Sequence, residues 1–288
     1  MPEPGQKPLI LEEHERKAIL AYCARTTVGF LSISNDRFYG SGALAIANGT
    51  WVILTAAHVV TAVEKCRDCK VVFSDDYADA RKYPAVVREY SSLTSRVSNG
   101  RKGRKWNPAE LDIGLIVPSP SLLEGLSNLR PIDVNLDTPV TKAYTAATAV
   151  ILGFPERLER TVKKDFGVVS NPVSTQFVPV PVDACPDDLA LGWDTIYQVT
   201  ANKFENAPLA GGMFGGPIFA YIREPIPGAW TAEKQMIFSG ILHYQHKDNC
   251  LLGHNRHMVK DFVSSLLNRL ENNELRDALA KGYKFAPK

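Results

Sequence analysis

Trp51-Val52-Ile53-Leu54-Thr55-Ala56-Ala57-His58-Val59-Val60 is an apolar run that ends by delivering a histidine. Trp51 to Leu54 read as a buried strand. A neutral imidazole presented beyond such a strand has one nitrogen available to take a proton, which is what a general base requires. Two further stretches follow it along the chain. Leu111-Asp112-Ile113-Gly114-Leu115-Ile116-Val117 sets a carboxylate at the head of a second apolar strand. Gly212-Met213-Phe214-Gly215-Gly216-Pro217 concentrates glycine and proline in a loop able to turn backbone N–H groups inward around an anion. Taken singly, each stretch is an ordinary strand end or turn.

In this order and each beside a strand, the three stretches resemble the trypsin-like (chymotrypsin-fold) serine peptidases. The resemblance implies an all-β protein of two six-stranded antiparallel β-barrels, with a short N-terminal helix and a C-terminal helix. It implies that His58 is the general base and that Asp112 fixes the tautomer and direction of its ring. The N–H groups of Gly212 and Phe214 are then the oxyanion-hole donors. Pro208 falls at the floor of the pocket for the side chain preceding the scissile bond, and His243, Tyr244 and Gln245 form its wall. No acid is placed to receive Lys or Arg unless the alignment slips to Glu205. A histidine on that wall resembles glutamate-preferring bacterial relatives.

Phe214 stands where the family carries its nucleophilic serine. A phenyl ring has no lone pair to attack a carbonyl and no proton for a base to remove. From Pro208 to Ala220 there is no Ser, Thr or Cys to stand in for it. Two accounts follow: a natural pseudopeptidase that binds a peptide or protein segment without hydrolysis, or an active serine endopeptidase whose Ser has been replaced. A third reading is a metal-stabilised scaffold, suggested by His243, His246, Cys250, His254 and His257 and by Cys66-Arg67-Asp68-Cys69. Against it, His243 and His246 lack the i,i+4 spacing of helical zinc motifs, and the two groups belong to different barrels. The expectation is therefore no metal and no cofactor.

With 45% apolar and 22% charged residues in 288, the chain has the composition of an ordinary globular protein large enough for two barrel cores. A net charge of +2 excludes a strongly basic nucleic-acid binder, and the basic stretch Arg96 to Lys105 reads as a solvated loop. Met1 to Pro8 lacks the basic start and apolar stretch of a secretory signal. The five cysteines do not occupy the places where secreted relatives pair theirs, since Val59 and Ala210 stand there. A reducing, cytoplasmic location is expected, with neither nucleic acid nor membrane as partner. The organisation expected is residues 1–25 as an N-terminal helical extension, 26–135 as the first barrel with His58 and Asp112, 136–257 as the second with the glycine loop, and 258–288 as a C-terminal helix and tail. Pro131 to Pro139 is read as the linker, and Met258 to Lys281 as the helix, from its apolar spacing.

Overall fold

The computed structural model describes residues 12–32, 34, 37–47, 49–66, 69–73, 86–87, 90–93, 112–118, 129–134, 148–154, 162–164, 167–169, 173–180, 194–199, 212–221, 230–245 and 250–271. Pro208, Glu205, His246, Cys185 and the Arg96 to Lys105 stretch lie outside these residues. Helix α1 (Glu13–Ala24) opens with a capping box in which the Glu12 N–H donates to the Glu15 carboxylate at 3.1 Å. It closes where the hydroxyls of Thr26 and Thr27 donate to the Cys23 carbonyl, an orphan acceptor of the last turn. Ile19, Leu20, Cys23 and Ala24 make its buried face.

Strands β1 (Thr27–Ser32), β2 (Arg37–Ala47) and β3 (Thr50–Thr55) form an antiparallel meander, and helix α2 (Ala57–Lys65) follows directly. Strands β4 (Cys69–Phe73), β5 (Val86–Val87), β6 (Tyr90–Leu93) and β7 (Gly114–Pro118) complete a path ordered β5-β4-β1-β2-β3-β7-β6. β8 (Ile132–Asp133) adds to β2 in parallel. The segment expected as a linker thus begins as a strand of the first sheet, with Ile132 buried there. Among the described residues this sheet has eight strands, seven in an open path with β8 beside β2, and the closure of the expected six-stranded barrel is not seen.

Strands β9 (Thr148–Gly153), β12 (Val173–Val180), β13 (Asp194–Val199), β14 (Pro217–Tyr221), β15 (Met236–Gln245) and β16 (Cys250–Asn255) form the second sheet. They pair in the order β12-β13-β16-β15-β14-β9, and β9 pairs back to β12. β10 (Val162–Lys164) and β11 (Gly167–Val169) make a separate hairpin. A single helical turn, α3 (Ala232–Gln235), precedes β15, and helix α4 (Arg256–Glu271) follows β16. Its described part ends at Glu271, so the remainder of the expected Met258 to Lys281 helix lies outside the described residues. β16, which carries Leu251, Leu252 and His254, pairs both β13 and β15.

One buried cluster joins the sheets. Ala43, Leu54 and Leu115 of the first sheet meet Val150, Phe219 and Ile241 of the second, with Ile19 and Cys23 of α1 and Val259 and Val263 of α4. Tyr22 meets Phe219 edge to face at 6.3 Å, and burial pushes its phenol up to about 12. The N-terminal helix is therefore part of the core that holds the halves together. Replacing Ile19 by Ala, at 1% exposure, is expected to cost roughly 2–4 kcal/mol of unfolding free energy, measurable by urea titration.

Candidate active site

Helix α2 begins without a cap of its own. Ala56 occupies the N-cap position and offers no side-chain acceptor, so the first N–H groups need partners from elsewhere. Asp112 supplies them from 54 residues away: its Oδ1 accepts the His58 N–H at 2.9 Å. Its main-chain carbonyl accepts the Ala57 N–H at 3.3 Å. The other oxygen, Oδ2, lies 2.5 Å from His58 Nδ1. With the carboxylate as acceptor, that nitrogen donates, and Nε2 is left as the ring's basic position. The Asp112 N–H in turn donates to His254 Nε2 at 2.9 Å. Every polar group of Asp112 is thereby used, with three of the four bonds going to the start of α2.

The two side chains differ in exposure: that of His58 is 38% exposed and that of Asp112 is 6%. Burial acts to raise the Asp112 carboxyl. The ring hydrogen bond from His58, the charges of His58 and His243 and the backbone bond outweigh it and hold the group below its usual range. The positive end of α2 acts in the same direction.

The loop from Gly212 to Gly216 faces this pair. Gly212 and Gly215 both have φ of 85°, in the left-handed region that glycine enters without penalty. At Gly215 a Cβ would also collide with Thr55 Oγ1 and the Ser41 carbonyl. The first sheet grips the loop through one residue. Ser41 donates its N–H to the Phe214 carbonyl at 2.8 Å and its hydroxyl to the Gly212 carbonyl at 2.7 Å. The same hydroxyl accepts the Phe154 N–H at 2.8 Å, and Thr55 secures the Ser41 carbonyl at 2.6 Å. The second sheet holds the other side through the Gly215 N–H to the Leu242 carbonyl at 2.6 Å and the Leu242 N–H to the Gly216 carbonyl at 3.0 Å. Among the described residues the N–H groups of Gly212 and Phe214, expected as oxyanion donors, form no hydrogen bond.

Phe214 turns toward the histidine. Its ring meets that of His58 edge to face, with centroids 5.6 Å apart and planes at 72°. Half-buried, it packs both on the cluster containing Val59 and Ile116 and on that containing Ile151 and Met213. The structure thus brings His58, Asp112 and Phe214 together. His243, expected on a pocket wall, is 1% exposed and lies ring on ring against His254, with centroids 3.8 Å apart and planes 3° apart. Tyr244 is half-buried next to it, and Gln245 ends β15. Among the described residues no three His, Cys, Asp or Glu are grouped to hold a metal ion. The lone pairs of the stacked rings lie in nearly parallel planes and do not converge between them.

Two residues with clear roles here were not assigned them from sequence. Ser41 carried no signal, being one small polar residue in a strand. His254 stood out only as one histidine among several, and its partner, a main-chain N–H 142 residues away, has no sequence signature.

Two outcomes follow from this geometry. Gly215→Ala is expected to destabilise by roughly 2–5 kcal/mol through the positive φ and the two collisions, read as a lowered urea midpoint. Because the folded state holds the Asp112 carboxyl below its unfolded value, Asp112 contributes stability above about pH 4 that is lost as pH falls through the lowered folded value. Asp112→Asn is therefore expected to lower unfolding free energy by about 1–3 kcal/mol at pH 7, with the gap to the parent narrowing in parallel urea titrations as pH falls through the lowered folded value.

A search of curated proteins returned no match. A family model described as a trypsin-like peptidase domain matches residues 40–222. That span runs from β2, through His58 and Asp112, to the end of β14 just beyond the glycine loop. Matched over well over half its length, the chain belongs to the trypsin-like peptidase domain family.

Proposed function

We propose that this protein is a pseudopeptidase in which the family's serine has become Phe214, and that its cleft binds a peptide or protein segment without cutting it. The contact between the Phe214 and His58 rings carries this reading. A serine in that place would present a hydroxyl to the base; phenylalanine presents a C–H edge, which can be neither deprotonated nor added to a carbonyl. Its ring also fills the space beside His58 that a scissile peptide needs. The peptide-binding half of the reading is supported by the loop, whose Gly212 and Phe214 N–H groups form no hydrogen bond among the described residues. A carbonyl or terminal carboxylate is the ligand such a hollow accepts. In this reading residues 26–135 and 136–257 are the two barrel halves. A reducing compartment suits the buried thiol of Cys23.

The alternative, an active endopeptidase whose Ser was replaced, draws support from the completeness of the frame around Phe214, with Asp112 bonded to His58 and both glycines in place. A Ser codon at position 214 in the source gene decides for it. The activity test compares the parent, Phe214→Ser and Phe214→Ser/His58→Ala with a serine-directed fluorophosphonate and a peptide library. The expected result is labelling of Phe214→Ser alone, because the base and its orienter are in place. Turnover by the parent that vanishes in His58→Ala overturns the pseudopeptidase. Phe214→Ser is also expected to lose roughly 1–3 kcal/mol of stability, below the cost for a fully buried ring, so labelling is read at a temperature where it is folded.

A further inference from the structure

The stacked pair His243 and His254 lies directly behind Asp112. Both rings are buried, at 1% and 0% exposure. They come from neighbouring strands, and their stacking depends on an irregularity in the ladder. Leu242 pairs Gly253 and Tyr244 pairs Leu252, so His243 is an extra residue in β15, a bulge that redirects its side chain. Main-chain approach keeps β16 in place beside it: Gly240 passes so close to the His254 carbonyl that a Cβ there would collide with it. His254 is therefore fixed from its backbone and from the face of its ring. Its Nε2 is directed at the Asp112 N–H, 2.9 Å away.

This bond joins the halves at the point that matters to the site. Asp112 belongs to the approach to β7, in the first sheet, whereas His254 belongs to β16 in the second. The residue after Asp112, Ile113, is fully buried in the core between the sheets. Fixing the Asp112 N–H fixes the direction from which its carboxylate leaves the main chain, and with it the Oδ2 to His58 Nδ1 contact. As acceptor, Nε2 of His254 carries no proton, so the neutral ring carries its proton on Nδ1.

We propose that His254 is a positioning residue for the His58–Asp112 pair, steadied by His243, so that the second sheet aims a carboxylate carried by the first. The proposal rests on the reading of His58 and Asp112 as base and orienter, and its test separates the two.

In the parent chain, two NMR signals are followed: hydrogen-exchange protection of the Asp112 amide, and the low-field proton of His58 Nδ1. His254→Phe keeps a flat ring to stack but has no acceptor; His254→Gln lacks the ring but offers an oxygen. Expected are a loss of about tenfold or more in Asp112 amide protection in His254→Phe and a weakened His58 signal, both largely restored in His254→Gln. A folded His254→Phe with both signals unchanged overturns the proposal. Should that variant not fold, the parent decides: scalar coupling across the hydrogen bond from the Asp112 amide to His254 15Nε2 is expected, and its absence overturns the proposal. In the Phe214→Ser background, fluorophosphonate labelling is expected to fall in His254→Phe and recover in His254→Gln. If Phe214→Ser never labels while the Asp112 amide behaves as expected, the reading of position 214 fails and the positioning role stands.

Discussion

The start of helix α2 lacks a cap of its own, and the carboxylate of Asp112 fills that deficit. An uncapped helix beginning at a buried position leaves N–H groups that cost about 1–3 kcal/mol each if unpaired. Asp112 satisfies two of them and, with its remaining oxygen, takes the ring of the second helical residue. The same interaction joins α2 to the approach to β7 and sets the direction of His58. Because the anion sits at the positive end of a helix and receives hydrogen bonds from both main chain and ring, it remains ionised despite its burial.

A second set of constraints surrounds the loop at Gly212. The loop lies between the sheets and has no regular ladder of its own, so its carbonyls must find acceptor-starved partners locally. Ser41 provides two donors from β2, and Thr55 at the end of β3 secures Ser41 in turn. Since β3 leads straight into α2, the loop and the helix bearing His58 are referenced to the same strand pair. Phe214 adds an apolar bridge, touching clusters on both sides. Burying part of a phenyl ring across this junction stabilises it, which a serine in the same place does not do.

The legible parts of this structure were those written in short local patterns. The apolar run before His58, the strand after Asp112 and the glycine spacing of residues 212–216 each express backbone geometry that few other residues permit. The helix at Ala57 was hidden because its cap comes from a distant carboxylate rather than from Ala56. β16 was hidden because it is short and carries the polar His254, which is buried with one long-range hydrogen bond and a ring stack. The resemblance put His243 on a pocket wall; in the structure it is the extra residue of a bulge, with its ring stacked on that of His254. Alternation in a strand is informative only until the ladder slips.

These physical roles bear on what the motif means. Asp112 caps a helix and joins the sheets, Gly215 occupies a space no side chain can enter, and Ser41 locks the loop. None of those duties needs a nucleophile. A chain that lost its serine would still be held to Asp112 and to both glycines by stability alone, so their presence does not by itself argue for hydrolysis. His58 is different: its main-chain N–H accounts for its bond to Asp112 Oδ1 whatever the side chain, and only the ring bond to Oδ2 requires histidine. The part of the site that stability does not explain is thus the half-exposed imidazole and the aromatic edge set against it.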